Sequence, residues 1–174
     1  MLIRPARDTD LAAVQAIYAH HVLTSSASFE LVPPTQAEMR NRYEAILAGG
    51  HPYLVADEGG TVLGYAYAGP YRARPAYRHT VEDSIYVAPS AVGRGVGRAL
   101  LARLLVQCEA GGWSQMLAVI GDSANAASIA LHSALGFRHA GTLHAVGWKF
   151  GRWIDSVLMQ RPLGAGSAAP PLRP

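Results

Sequence analysis

Gly93-Arg94-Gly95-Val96-Gly97-Arg98 is the part of the sequence with the plainest chemistry. Glycines at alternate positions leave the backbone bare, so several N–H groups can crowd around one anion. The apolar run that follows opens a helix whose positive end points at the same place. Arg94 and Arg98 add charge and paired donors suited to phosphate oxygens. A diphosphate is the natural ligand of such a turn. The Walker A pattern is excluded because no Gly-Lys-Ser/Thr follows, and G-x-G-x-G is not the G-x-G-x-x-G of a dinucleotide site. A glycine-rich turn with no ligand is the plain alternative.

A second segment, Asn125-Ala126-Ala127-Ser128-Ile129-Ala130-Leu131-His132-Ser133-Ala134-Leu135-Gly136-Phe137, carries an Asn helix cap, apolar residues at helical spacing and a Gly stop. Together the two segments resemble the GCN5-related N-acetyltransferase (GNAT) superfamily. Its coenzyme A loop runs Gln/Arg-x-x-Gly-x-Gly/Ala; Gly95 and Gly97 match its small positions, and Val92 departs from the Gln/Arg. Its later helix begins Asn-x-x-Ala and ends near Gly-Phe. The resemblance implies that Asn125 contacts the coenzyme, and it places His132 where a Tyr often protonates the leaving thiolate. A buried structural histidine is the other reading of His132.

Four further segments look like the phosphinothricin / methionine sulfoximine N-acetyltransferase branch: 27–30, 73–77, 81–87 and 147–155. The resemblance covers Ile3 to about Leu163. It implies an acetyl-CoA cosubstrate held by Gly93, Arg94, Gly95, Val96, Gly97 and Arg98, with the backbone of Ile85, Tyr86 and Val87 serving the pantetheine arm and the thioester carbonyl. It implies Glu82 as general base. A carboxylate is a weak base for an ammonium, so a water relay and a raised pKa are expected. Phe29 and Glu30 are expected in the loop over the acceptor, with Asp83 and Ser84 also assigned to acceptor binding. Arg72 and Arg74, beside Tyr77, either pair with an amino-acid carboxylate or stay solvated. Lys149 and Trp153 either line the acceptor pocket or form a dimer contact, ordinary hairpin packing being the alternative for Trp153. The implied assembly is a homodimer. Acetylation of peptide N-termini or other small amines, and a non-catalytic acyl-CoA-binding module, are the competing functions.

The elements that must position these residues follow from pattern. Met1 to Pro5 reads as a strand, and Asp8 or Thr9 caps a helix with apolar face Leu11, Val14, Ile17 and Tyr18. A loop over 24–34 precedes a helix near 36–47. Strands follow near 53–57, 62–71 and 80–87, then a helix over 95–110, a strand at 116–120, the Asn125 helix, and a hairpin of 137–145 with 150–160. The expected fold is α/β (α+β), a GNAT-type central mixed, mostly antiparallel sheet flanked by about four helices. Helices are expected after the first, fifth and sixth strands. One domain should span 1–163, with 164–174 a disordered tail.

Composition narrows the class. With 174 residues, half apolar and 16% charged, the chain can bury a full core. A net charge of +3 spread over scattered arginines, with Lys149 the only lysine, gives no footprint for nucleic acid. Cys108 is the only cysteine and falls inside a helix, where a buried hydrophobe is expected. The histidines have no metal-ligand spacing, so no metal is expected. No span suits a bilayer and the N-terminus lacks signal-peptide order, so a cytoplasmic protein with no membrane partner is expected.

Overall fold

Seven strands lie side by side in the order β1-β2-β3-β4-β5-β7-β6 in the computed structural model, which describes residues 1–172. They are β1 (Leu2–Pro5), β2 (Tyr53–Glu58), β3 (Thr61–Pro70), β4 (Thr80–Val87), β5 (Gln115–Gly121), β6 (Arg138–Lys149) and β7 (Arg152–Pro162). The helices are α1 (Leu11–Thr24), α2 (Gln36–Ala48), α3 (Val96–Ala110) and α4 (Ala126–Ala134). Every neighbouring pair is antiparallel except β4 and β5. Among the described residues no helix is long and apolar enough to cross a membrane.

Helices follow the first, fourth and fifth strands, not the first, fifth and sixth. Parallel neighbours cannot be joined by a tight turn, so the chain between β4 and β5 must cross over, and α3 is that crossover. The expected cap at Asp8 or Thr9 is also displaced. Residues 8–10 form a 3-10 turn, and Asp10 is spent on Arg4 and on the backbone N–H of Arg7. Thr35 does cap α2, its hydroxyl accepting from Glu38 N–H at 3.2 Å.

Strand alternation divides the core. Leu54, Ala66, Ala68, Val81 and Met116 face α3, which contributes Leu100, Leu101, Leu104 and Cys108. Tyr53, Val55 and Tyr65 face α1 and α2, which contribute Val14, Ile17, Tyr18 and Tyr43. The expected apolar face of α1 is therefore all buried. Among the described residues beyond Leu163 there is no helix or strand, but 164–168 turn back on themselves through Gly166 N–H to Leu163 O at 2.9 Å and Ala168 N–H to Ala165 O at 3.0 Å. The expectation of a disordered tail extends to residues 173 and 174, which lie outside the described residues.

Candidate active site

The centre of the sheet opens into a wedge. β4 stays paired with β3 as far as Val87↔Gly64, yet its parallel pairing with β5 ends at Asp83↔Ala118. β5 instead continues along β7 to Gly121↔Ser156. The β5-facing backbone edge of Ser84, Ile85, Tyr86 and Val87 therefore has no strand partner, and a cleft of about 510 Å³ fills the gap. Val87 O is met by His21 Nε2 at 2.9 Å. Because a carbonyl only accepts, that nitrogen carries a hydrogen, and burial lowers the His21 pKa. The two residues lie 66 positions apart, and no local sequence pattern marks this contact.

The glycine turn forms one wall of the cleft. Gly93 and Gly95 take left-handed φ values of 79° and 78°, which only glycine adopts without strain. Gly95 opens α3 with no capping side chain, and the first intrahelical bond comes from Ala99 N–H at 3.1 Å. The N–H groups of Val96, Gly97 and Arg98 at the helix start are thus left for whatever occupies the cleft they line. Arg98 reaches this wall. Arg94 does not: its guanidinium pairs with Glu58 at 2.7 Å, outside the cleft. Bare left-handed backbone, a helix start and one cation fit a diphosphate.

α4 closes the other wall. Asn125 Oδ1 accepts from Ser128 N–H at 3.2 Å, so the residue caps α4 and also lines the cleft. His132 is buried against β4. Its Nδ1 lies 2.8 Å from Ser128 O, and its Nε2 lies 3.1 Å from Asp83 Oδ2. Burial opposes charge on the ring, but the Asp83 carboxylate outweighs it and the His132 pKa is raised. Both ring nitrogens lie within hydrogen-bond reach of protein oxygens. His132 ties α4 to β4 and lines the cleft with Asn125. Strand alternation sends Asp83 and Ile85 to the α3 and α4 side, and Glu82, Ser84 and Tyr86 to the other, and all of these residues line the cleft.

Glu82 is half-buried at the closed end of the wedge. Burial, then the neighbouring charge of Asp83, push its carboxyl up to about 6, with Arg72 pulling the other way. A carboxylate poised there can take a proton near neutral pH.

Residues 3–158 match the family model described as an acetyltransferase (GNAT) domain. The chain belongs to the GNAT acetyltransferase family. It is 59% identical over 169 residues to a phosphinothricin N-acetyltransferase of Alcaligenes faecalis, covering 97% of this chain and 86% of that one. It is 43% identical to an L-methionine sulfoximine/L-methionine sulfone acetyltransferase of Salmonella typhimurium, covering 97% and 98%. A GNAT superfamily phosphinothricin acetyltransferase from Sinorhizobium meliloti, solved in complex with AcCoA, superposes with a TM-score of 0.96 at 50% identity, covering 99% of this chain and 93% of that one.

In this acetyltransferase the expected acceptor residues divide. Phe29 and Glu30 line a cavity of about 480 Å³ with Tyr18, Tyr86 and Gly121, next to the cleft. Burial works against the Glu30 charge, but Arg42 at 2.6 Å and the Tyr18 hydroxyl at 2.8 Å prevail and lower its pKa. Ser84 shares the sheet face of Glu82 and stands opposite Tyr67 in the β3–β4 register. Arg74 and Tyr77 are exposed in the β3–β4 connection and line neither cavity. Arg72 lies there too, 5.0 Å over the Tyr71 ring. Lys149 is buried rather than open to an acceptor. Its Nζ donates to Ser25 O at 2.8 Å and Ser28 O at 2.6 Å, pinning the loop that carries Phe29, and burial lowers its pKa. Trp153 packs edge-on to Trp148 at 5.2 Å, both on the outer surface.

Proposed function

We propose that this GNAT enzyme moves acetyl from acetyl-CoA to the amine of a small amino-acid-like acceptor of the phosphinothricin, methionine sulfoximine or methionine sulfone type. The observation that carries the reading is the wedge between β4 and β5, which brings an uncapped helix start and a carboxyl poised near pH 6 to one cleft. The named activities of relatives 59% and 43% identical along almost the whole chain support the acceptor class.

Bound acetyl-CoA supplies a thioester carbonyl and a thiolate leaving group. The N–H groups of Val96, Gly97 and Arg98, with the Arg98 guanidinium, hold its diphosphate. The unpaired edge of Ser84–Val87 offers N–H groups to the pantetheine arm and to the carbonyl, where fixed donors favour developing negative charge. Glu82 takes the ammonium proton, directly or through one water, so that the amine can attack. Asn125 and the His132–Asp83 pair hold α4 in place along the cleft. Phe29 and Glu30 cover the acceptor. One domain over 1–163 carries all of this. A homodimer is part of the same proposal, supported by the outward-facing Trp148 and Trp153, 57% and 62% exposed at the edge of the sheet. Sedimentation reads it directly.

An amine panel assayed for thiol release tests the reading. Methionine sulfone, methionine sulfoximine and phosphinothricin should turn over, each faster than spermidine, an aminoglycoside or a peptide N-terminus. Faster turnover of a polyamine or peptide overturns the substrate class. Binding of acetyl-CoA with no thiol released for any amine overturns the enzyme in favour of a binding module.

A further inference from the structure

The hairpin of β6 and β7 carries Gly147, Lys149 and Arg152 near its turn, and the loop 25–30 that follows α1 is fastened to it. Lys149 ties down the carbonyls of Ser25 and Ser28. The Ser26 hydroxyl donates to Asp122 Oδ2 at 3.3 Å, and Arg152 is paired with the same carboxylate. Close packing on two glycines completes the attachment. A Cβ at Gly121 would collide with Ser26 O and stand 3.0 Å from Phe29 Cε1. A Cβ at Gly147 would stand 2.6 Å from Phe29 Cε2 and 2.9 Å from its Cδ2. Neither glycine takes a positive φ, so the backbone alone does not call for glycine at either place; the neighbours do.

The two glycines share one face of the sheet. The register sets Gly121 opposite Ser156 and Gly147 opposite Ile154, and Ser156 and Ile154 are alternate residues of β7. The Phe29 ring therefore bridges β7, one edge over β5 and the other over β6. Phe29, Gly121 and Ser156 all line the cavity of about 480 Å³. That cavity shares Ala27, Tyr86, Val119 and Gly121 with the cleft that holds Glu82, so the two spaces are continuous. The ring is a wall of this cavity, and the bare backbone beneath it sets its height above the sheet. With 42% of Phe29 exposed, the packing above the ring is too thin to hold it in place alone.

We propose that Gly147 is a positioning residue for the acceptor: it seats the Phe29 ring, and any side chain at 147 lifts that ring and deforms the acceptor cavity while leaving the coenzyme cleft intact. Gly147 lines neither the cleft nor the cavity, so it acts through Phe29 alone. Lys149 fixes the backbone of the loop, and Gly147 fixes the ring that the loop carries. The assignment rests on the amino-acid acetyltransferase reading above and names a residue that shapes its acceptor site.

The test is a double-mutant cycle read by thiol release with L-methionine sulfone as acceptor. Gly147→Ala should raise the acceptor KM at least about fivefold, with calorimetric acetyl-CoA affinity within about twofold of wild type. In a Phe29→Ala background the same substitution should change KM less than about twofold, because no ring remains to be displaced. Gly141→Ala is the control: it lies on the same strand with nothing within 4 Å of its Cβ, and KM should not move. Phe29→Ala alone, which alters neither glycine, should raise KM at least about fivefold. An unchanged KM in Phe29→Ala overturns the assignment whether or not Gly147→Ala folds. An unchanged KM in folded Gly147→Ala, or equal losses from Gly147→Ala in both backgrounds, also overturns it and leaves the acetyltransferase reading intact. If the wild type releases no thiol with any amino acid, both readings fall.

Discussion

Replacing Glu82 with Gln removes a proton acceptor while keeping its size and hydrogen-bonding capacity. With its carboxyl near 6, Glu82 is roughly nine-tenths ionised at pH 7 and about one-tenth at pH 5. The base must be deprotonated to act, so kcat/KM should rise about tenfold from pH 5 to 7 and flatten above. Arg72 is the charge that lowers the value, so Arg72→Ala should move this limb to higher pH. Glu82→Gln should lose ~10² or more in turnover, about 3 kcal/mol of transition-state stabilisation. The fold should not suffer. A carboxyl raised in the folded state disfavours folding above that raised value and not below its unfolded value of 4.5, so the neutral amide should be at least as stable at pH 7. Thiol release at saturating acetyl-CoA, from pH 5 to 9, reads both effects. A folded Glu82→Gln enzyme that keeps turnover within about threefold, or keeps the limb near 6, refutes the assignment.

Gly95→Val forces a β-branched residue into a left-handed conformation, costing ~1–3 kcal/mol locally and displacing the start of α3. Calorimetry should show acetyl-CoA affinity down at least a hundredfold with the circular dichroism unchanged; wild-type affinity sinks the diphosphate site. Arg94→Ala should change that affinity less than threefold, since Arg94 is spent on Glu58, whereas Arg98→Ala should weaken it at least fivefold. Asp83→Asn strips the partner from buried His132 and should cost about 3–5 kcal/mol in denaturant unfolding. Because the folded His132 pKa is raised, its stabilisation is full below the ordinary value of about 6.5 and fades as pH rises through the folded value. His132→Gln should abolish that decline, and an identical pH profile in both proteins refutes the pairing. Lys149→Met removes both ties to the Ser25–Ser28 backbone, so protease cleavage in 25–34 should speed up and acceptor KM should rise severalfold. Unchanged cleavage shows the loop is held elsewhere.

Much of this molecule is legible in local pattern. The turn at Gly93–Gly97, the Asn125 cap, the apolar face of α1 and the burial of Cys108 each depend on residues within a few positions of one another. Backbone conformation and helix capping are short-range physics, so they can be read before any tertiary contact is known. Parity along β4 was equally readable: Glu82 and Asp83 must point to opposite faces. Which face met α4 was not. The contact of Asp83 with His132 spans 49 positions, that of Arg94 with Glu58 spans 36, and that of Lys149 with Ser25 spans 124. A long side chain has many rotamers of similar energy, and only the packed neighbours decide which partner it meets. The wedge itself is the clearest case. Nothing local marks Asp83 as the last residue to pair with β5; the strands part there because β5 follows β7 while β4 follows β3.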